Sequence, residues 1–286
     1  MTTTFKAACV QVTAGREIAP NIETALRLGR EARKMGADFI AYPENATMIE
    51  PIAAEALKKA LPEAEHPAIP AFRALARETG AWILAGSLSI RAGDKKYANR
   101  SLLFDAGGAI VARYDKLHLF DVDLAGGERY RESERIAPGE RAVIAATPWG
   151  LLGMTICYDV RFPQLYRALA KAGAMMFTVP AAFTEQTGRA HWHILNRARA
   201  IECGAFVIAA AQTGTHAQGR RTYGHSLIVD PWGEVLAEGG EGEGVIVAEI
   251  DPAKSAEARR RIPALQHDRA FSDPEAMALP AKDAAE

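Results

Sequence analysis

The chain has 286 residues, 49% hydrophobic and 24% charged, with a formal net charge of -1. This suits a globular protein with a large core, and it argues against a nucleic-acid or anionic-membrane partner, which would call for surplus Lys and Arg. The opening "MTTTFKAACVQVTAG" lacks the basic start and apolar middle of a signal peptide, and no stretch is apolar for the length of a membrane span.

In chain order, "FKAACVQV" reads as a strand, and "NIETALRLGREARKMGADFIAYPE" as an amphipathic helix, a Gly stop and an apolar strand ended by Pro43. "PAFRALARETGAWILAGSLSI" repeats that order, and "RSLLFDAGGAIVARYDK" reads as a hairpin around a Gly-Gly turn. "LLGMTICYDV" is a buried strand, Pro163 opens a helix, "GAMMFTVPAAF" is again a strand, and a helix is expected from about Gly188 to Cys203. "GAFVIAAAQ", "HSLIVDPWGEVLAEG" and "GVIVAEID" supply closing strands before a short helix near "PAKSAEARRRI". Alternating helices and strands with hairpins mixed in predict an α/β fold of two mixed sheets packed face to face, helices outside. Residues 1–272 read as one domain, and the small, acidic, proline-bearing segment 273–286 as a tail.

The three cysteines, Cys9, Cys157 and Cys203, are odd in number and widely spaced, which fits neither a disulfide framework nor a CxxC site. A reducing, cytoplasmic setting is expected, and a Cys there is a candidate nucleophile. Ligands of open α/β sheets bind beyond the carboxyl ends of strands. Three strands end in groups suited to acyl transfer: "ADFIAYPE" in Glu44, "AIVARYDK" in Lys116 and "LLGMTIC" in Cys157. A thiol needs a base or a nearby cation to become a nucleophile at neutral pH. Glu44 is suited to take the proton, and Lys116 with the Tyr158 N–H to hold the oxyanion. Singly, each has a plainer reading: Cys157 as packing, Glu44 as a solvated turn residue, Lys116 as half of a surface ion pair with Asp115.

Together, "YPEN", "YDKLHLFDVD" and "CYDVRFPQLYR" resemble, in order and spacing, the signature segments of the nitrilase, or carbon–nitrogen hydrolase, superfamily. The likeness runs from about Phe5 to Asp273. It implies a four-layer α-β-β-α sandwich, a Glu44-Lys116-Cys157 triad, no metal or organic cofactor, and a homodimer or higher homo-oligomer. It also implies a second glutamate, and "YRESERIAPGE" places this at Glu132, where charge alone leaves Glu128 and Glu134 equally open. The implied substrate is a small amide. "PAAFTEQTGRAHWHILNRARAIE", "YGHSLIVDPWGEV" and "ESERIAPGE" are most similar to the deaminated glutathione amidase branch, with ω-amidase next. The first activity yields 2-oxoglutarate and cysteinylglycine, the second 2-oxoglutarate and ammonia; other aliphatic amidases and N-carbamoyl hydrolases are further alternatives.

Both of those substrates carry an anionic 2-oxo acid, for which Arg161, Arg129 and Arg189 are candidate cations and Tyr42 a further substrate contact. Asp159 and Arg161 also read as braces of the turn after Cys157. "HWH" at 191–193 does not read as a zinc site, because residues two apart leave a helix on different sides. A Cys-His protease would pair Cys157 with His191, His193 or His225, yet no strand-end position carries histidine. "GREIAPN" lacks the Lys-Ser/Thr of a P-loop. A non-catalytic binding module is disfavoured because all three triad residues are present.

Overall fold

Alternation along one strand sets the architecture. In Phe5–Gln11, Ala7 and Cys9 point into one apolar cluster while Ala8 and Val10 point into another, as the period of two requires. The first cluster lies between two sheets and the second under an outer helical layer. The computed structural model describes residues 4–274; the expected tail is therefore almost wholly outside the described residues.

One sheet runs in the order Gly244–Ile250, Phe5–Gln11, Phe39–Ala41, Trp82–Arg91, Tyr97–Phe104 and Ile110–Asp115, and the two-residue strand Ile136–Ala137 pairs with Tyr97–Phe104. Its three strands Phe5–Gln11, Phe39–Ala41 and Trp82–Arg91 are mutually parallel, and its outer pairings are antiparallel except the parallel one of Ile136–Ala137 with Tyr97–Phe104. The other sheet is ordered Val235–Glu238, Leu227–Val229, Phe206–Ala209, Met176–Thr178, Gly150–Met154 and Val143–Thr147, again with a parallel centre and antiparallel flanks. Helices Ile18–Lys34 and Ala68–Thr79 cover the first sheet, Pro163–Lys171 and Glu185–Cys203 the second. The result is the α-β-β-α sandwich of two mixed sheets. Among the described residues no helix is long and apolar enough to cross a membrane.

Local chemistry explains most boundaries. The Gly-Gly hairpin forms, with Gly108 at φ 79°, a conformation that disfavours any residue with a Cβ. Pro163 occupies the first turn of its helix. One boundary differs from the sequence reading: the long helix starts at Glu185, not Gly188, because the Thr184 hydroxyl caps it by accepting from the Thr187 N–H. Gly188 then lies inside the helix, where a Cβ would come within 2.2 Å of Tyr223. A short helix at Ala53–Lys59 and two small ribbons, Asp121–Asp123 with Arg129–Arg131 and Thr213–Thr215 with Arg221–Tyr223, are additions to the sequence reading.

Candidate active site

The parallel centres of both sheets deliver their carboxyl ends to one edge of the sandwich. Glu44 follows Phe39–Ala41, Cys157 follows Gly150–Met154 and Ala182 follows Met176–Thr178, while Lys116 continues directly from Ile110–Asp115. These four, with Glu132, Phe120, Tyr158, Phe183, Thr184, Thr187 and Arg220, line one cleft. The three far-separated strand-end residues therefore meet.

Lys116 is the hub. Its side chain is fully buried, and its ammonium donates to Glu44 Oε1 and to Glu132 Oε2, both at 2.8 Å. Asn99 Nδ2 donates to Glu44 Oε1 at 2.8 Å, and the Ala182 N–H to Oε2 at 3.0 Å, so both carboxylate oxygens are fixed. The Phe120 N–H fixes Glu132 in turn, at 2.9 Å from Oε2. Burial of unpaired charge is costly, and this chain of partners is what makes it tolerable.

The electrostatics settle the resting charges. Burial would raise the Glu44 carboxyl, but the Lys116 ammonium and its hydrogen bond outweigh that and hold it below the usual carboxylate range. Burial would lower Lys116, yet Glu132 and Glu44 together push it well above its usual value. Burial and the Glu44 charge push the Cys157 thiol well up, with Lys116 opposing. At neutral pH the cleft holds a carboxylate, an ammonium and a protonated thiol.

Cys157 sits on a strained turn. Its φ of 50° is left-handed, a conformation that costs a non-glycine residue about 1–2 kcal/mol. The strain is held by Asp159, which is fully buried. Its carboxylate accepts from the Ile156 N–H at 2.8 Å and the Tyr114 hydroxyl at 2.6 Å, and from the His118 N–H at 3.1 Å, with His118 Nδ1 at 2.7 Å. Asp159 thus braces the turn. Tyr158 is the second residue of the 3-10 turn Cys157–Arg161, so its N–H has no acceptor inside that turn. The other two thiols, Cys9 and Cys203, are buried away from the cleft, and burial raises both, Cys203 to about 12.

The expected substrate contacts divide. Tyr42 is a correction: alternation turns it to the helix side of its strand, where its buried hydroxyl donates to Ala25 O. Arg189 is also outside the cleft, 60% exposed and paired with Glu185. Arg129 borders a neighbouring outer cavity and leans toward Asp123. Arg161 stands behind the cleft wall, its guanidinium over the rings of Tyr158 and Phe183 at 5.9 and 5.4 Å. His191, His193 and His225 are not among the cleft-lining residues. His191 Nδ1 lies 3.3 Å from Arg161, while His193 Nε2 and His225 Nδ1 lie 2.9 and 2.8 Å from Glu238 Oε1.

Sequence reasoning missed Asn99 and Arg220. Neither sits in a segment of recognisable pattern; both reach the cleft only through tertiary packing.

A model of the family described as carbon-nitrogen hydrolase matches residues 6–260. The chain belongs to the carbon–nitrogen hydrolase family. As such it is an amidase-type enzyme. A deaminated glutathione amidase from Yersinia enterocolitica is 43% identical to this hydrolase over 240 residues, 83% of this chain and 84% of its relative. The crystal structure of Saccharomyces cerevisiae Nit3, a member of branch 10 of the nitrilase superfamily, superposes with a TM-score of 0.82 at 29% identity, covering 91% of this chain and 94% of that one. A mutant of the amidase from Nesterenkonia sp. AN1, in which acrylamide has undergone Michael addition at the active-site cysteine, has a TM-score of 0.77 at 25% identity and covers 91% and 98%.

Proposed function

We propose that this hydrolase cleaves deaminated glutathione to 2-oxoglutarate and cysteinylglycine through a thioester on Cys157. The relative that supports the acyl donor is the Yersinia amidase, which matches over most of both chains. The observation that carries the mechanism is the buried Glu44–Lys116–Glu132 chain beside a protonated thiol. The modified active-site cysteine of the Nesterenkonia amidase supports the choice of nucleophile.

Each residue then has one task. Glu44 takes the Cys157 proton as Sγ bonds to the amide carbon. The Lys116 ammonium and the Tyr158 N–H stabilise the oxyanion, an effect worth roughly 10²–10³ in rate per donor. Glu44 returns the proton to the departing amine nitrogen as the C–N bond breaks. Water, deprotonated by Glu44, then attacks the thioester, and Glu44 passes that proton to the departing Sγ, which restores the thiol and the carboxylate. Glu132 holds Lys116 in register and keeps the ammonium charged. None of Arg161, Arg129 and Arg189 lines the cleft, so the contact to the 2-oxo acid carboxylate is not carried by the arginines expected for it.

The assay is a comparison of kcat/KM for deaminated glutathione, 2-oxoglutaramate and simple ω-amides. The proposal expects the first to lead. A lead for 2-oxoglutaramate would reassign the chain to ω-amidase, and parity among all three would remove the acyl-donor assignment.

A cytoplasmic setting and a homodimer complete the proposal. Three unpaired, buried thiols suit a reducing compartment. The outer face of Glu185–Cys203 leaves Ile194 and Ile201 70% and 53% exposed, seven residues apart and so on one side, with Trp232 56% exposed.

A further inference from the structure

Arg220 borders not only the cleft but also a more open outer cavity of about 700 Å³. Four arginines, Arg129, Arg131, Arg135 and Arg220, line it together with Glu128 and Glu134. Arg129 and Arg131 are drawn to Asp123. Arg135 and Arg220 are not so occupied: one donates to Glu50 O at 3.1 Å, the other to Ala182 O at 3.0 Å, and among the described residues neither has a carboxylate partner. The Nε of Arg220 is buried without an acceptor, so among the described residues nothing in the fold neutralises this guanidinium beyond its bond to Ala182 O. Tyr130 lies under that guanidinium, 5.5 Å from its ring centre, and packs on Phe120 of the cleft at 5.2 Å. The two spaces therefore adjoin across a fixed cationic neck.

We infer that the outer cavity is the leaving-group subsite, where Arg135 and Arg220 receive the terminal carboxylate of a dipeptide-sized amine. This rests on the amidase reading above and deepens it by naming the residues that would hold the carboxylate of the cysteinylglycine half. The volume lies within the range of small-molecule sites, about 300–1,000 Å³. Ammonia as leaving group would need neither the space nor the charge. Guanidinium pairs with a carboxylate in a planar, charge-assisted geometry, so the free acid is selected over its neutral amide.

The test uses the whole protein and two amides with the same 2-oxoglutaryl half, one releasing cysteinylglycine and one releasing cysteinylglycinamide. The wild-type protein is expected to favour the free carboxylate about tenfold or more in kcat/KM, through KM. Arg135→Gln should bring the two close to parity while leaving turnover of 2-oxoglutaramate within about twofold. Equal wild-type rates for the two amides would overturn the inference, as would an equal loss on all three substrates in Arg135→Gln. A second arm needs no turnover: S-methylcysteinylglycine should slow iodoacetamide alkylation of Cys157 more than its carboxamide does. Equal or absent protection by both contradicts the subsite. If wild-type protein hydrolyses none of the amides, the proposed substrate fails, and this protection arm still decides the cavity.

Discussion

At the scale of single residues, the chemistry depends on one ammonium shared by two carboxylates. Removing the Lys116 charge would leave Glu44 and Glu132 without their buried partner, so Lys116 variants confound catalysis with folding. Glu44→Gln is cleaner, since the amide keeps the size and part of the hydrogen bonding of the carboxylate. It is expected to lower kcat/KM by about 10²–10⁴ with far-UV circular dichroism unchanged. The pH profile has a defined sign. Glu44 is shifted down, so its carboxylate persists as pH falls, and kcat/KM should hold to about pH 4.5 before an acid limb appears. Lys116 and Cys157 are shifted up, so no alkaline limb should enter below about pH 9. A limb near neutrality would contradict this assignment of charges. That Glu44, Lys116 and Cys157 gather in one cleft was legible because each stands at a strand end and because their three segments together resemble the superfamily's signatures. Tyr42 was misread because it keeps the helix-side face of Ile40, two residues before it, whereas the strand ends at Ala41 and the chain turns before Glu44.

At the scale of elements, the helix Glu185–Cys203 is the instructive case. A glycine inside a helix usually destabilises by about 1 kcal/mol relative to alanine, so Gly188→Ala would ordinarily be a gain. Here the added Cβ meets Tyr223 Cβ at 2.2 Å and Cγ at 2.3 Å, atoms close to the backbone that do not swing aside. The substitution is expected to destabilise by about 1–3 kcal/mol instead, read as a lower urea midpoint with unchanged slope. A rise in midpoint would show that the packing is looser than described. The same position explains the misplaced helix start. Read alone, Gly188 punctuates; in the fold it is the gap that admits Tyr223, and the start signal is the Thr184 hydroxyl. The longer strands and helices were legible because periodicity reports burial, whereas their order within each sheet was not. The ribbons at Asp121–Asp123 and Thr213–Thr215 were not legible, because they are short and polar and so carry no apolar run.

At the scale of the whole molecule, two sheets with opposed apolar faces bury one core, and their shared carboxyl edge gathers the cleft. The resemblance carried by three segments, in order and spacing, was enough to place the chain in its superfamily. The arginine at the neck was not readable, since Arg220 lies 63 residues beyond Cys157 (220 − 157) in a segment with no motif of its own. The outward apolar side of Glu185–Cys203 predicts association: sedimentation should give a dimer, and Ile194→Asp should shift it toward monomer. A wild-type protein that sediments as monomer at assay concentration would remove the dimer proposal and leave the cleft intact.

Covalent capture tests the central claim most directly. Wild-type protein mixed with deaminated glutathione, acid-quenched within the first turnovers and weighed intact, is predicted to carry a 2-oxoglutaryl adduct that peptide mapping places on Cys157 and that Cys157→Ala lacks. Undiminished turnover by Cys157→Ala, or an acyl group mapped to any other residue, would contradict it.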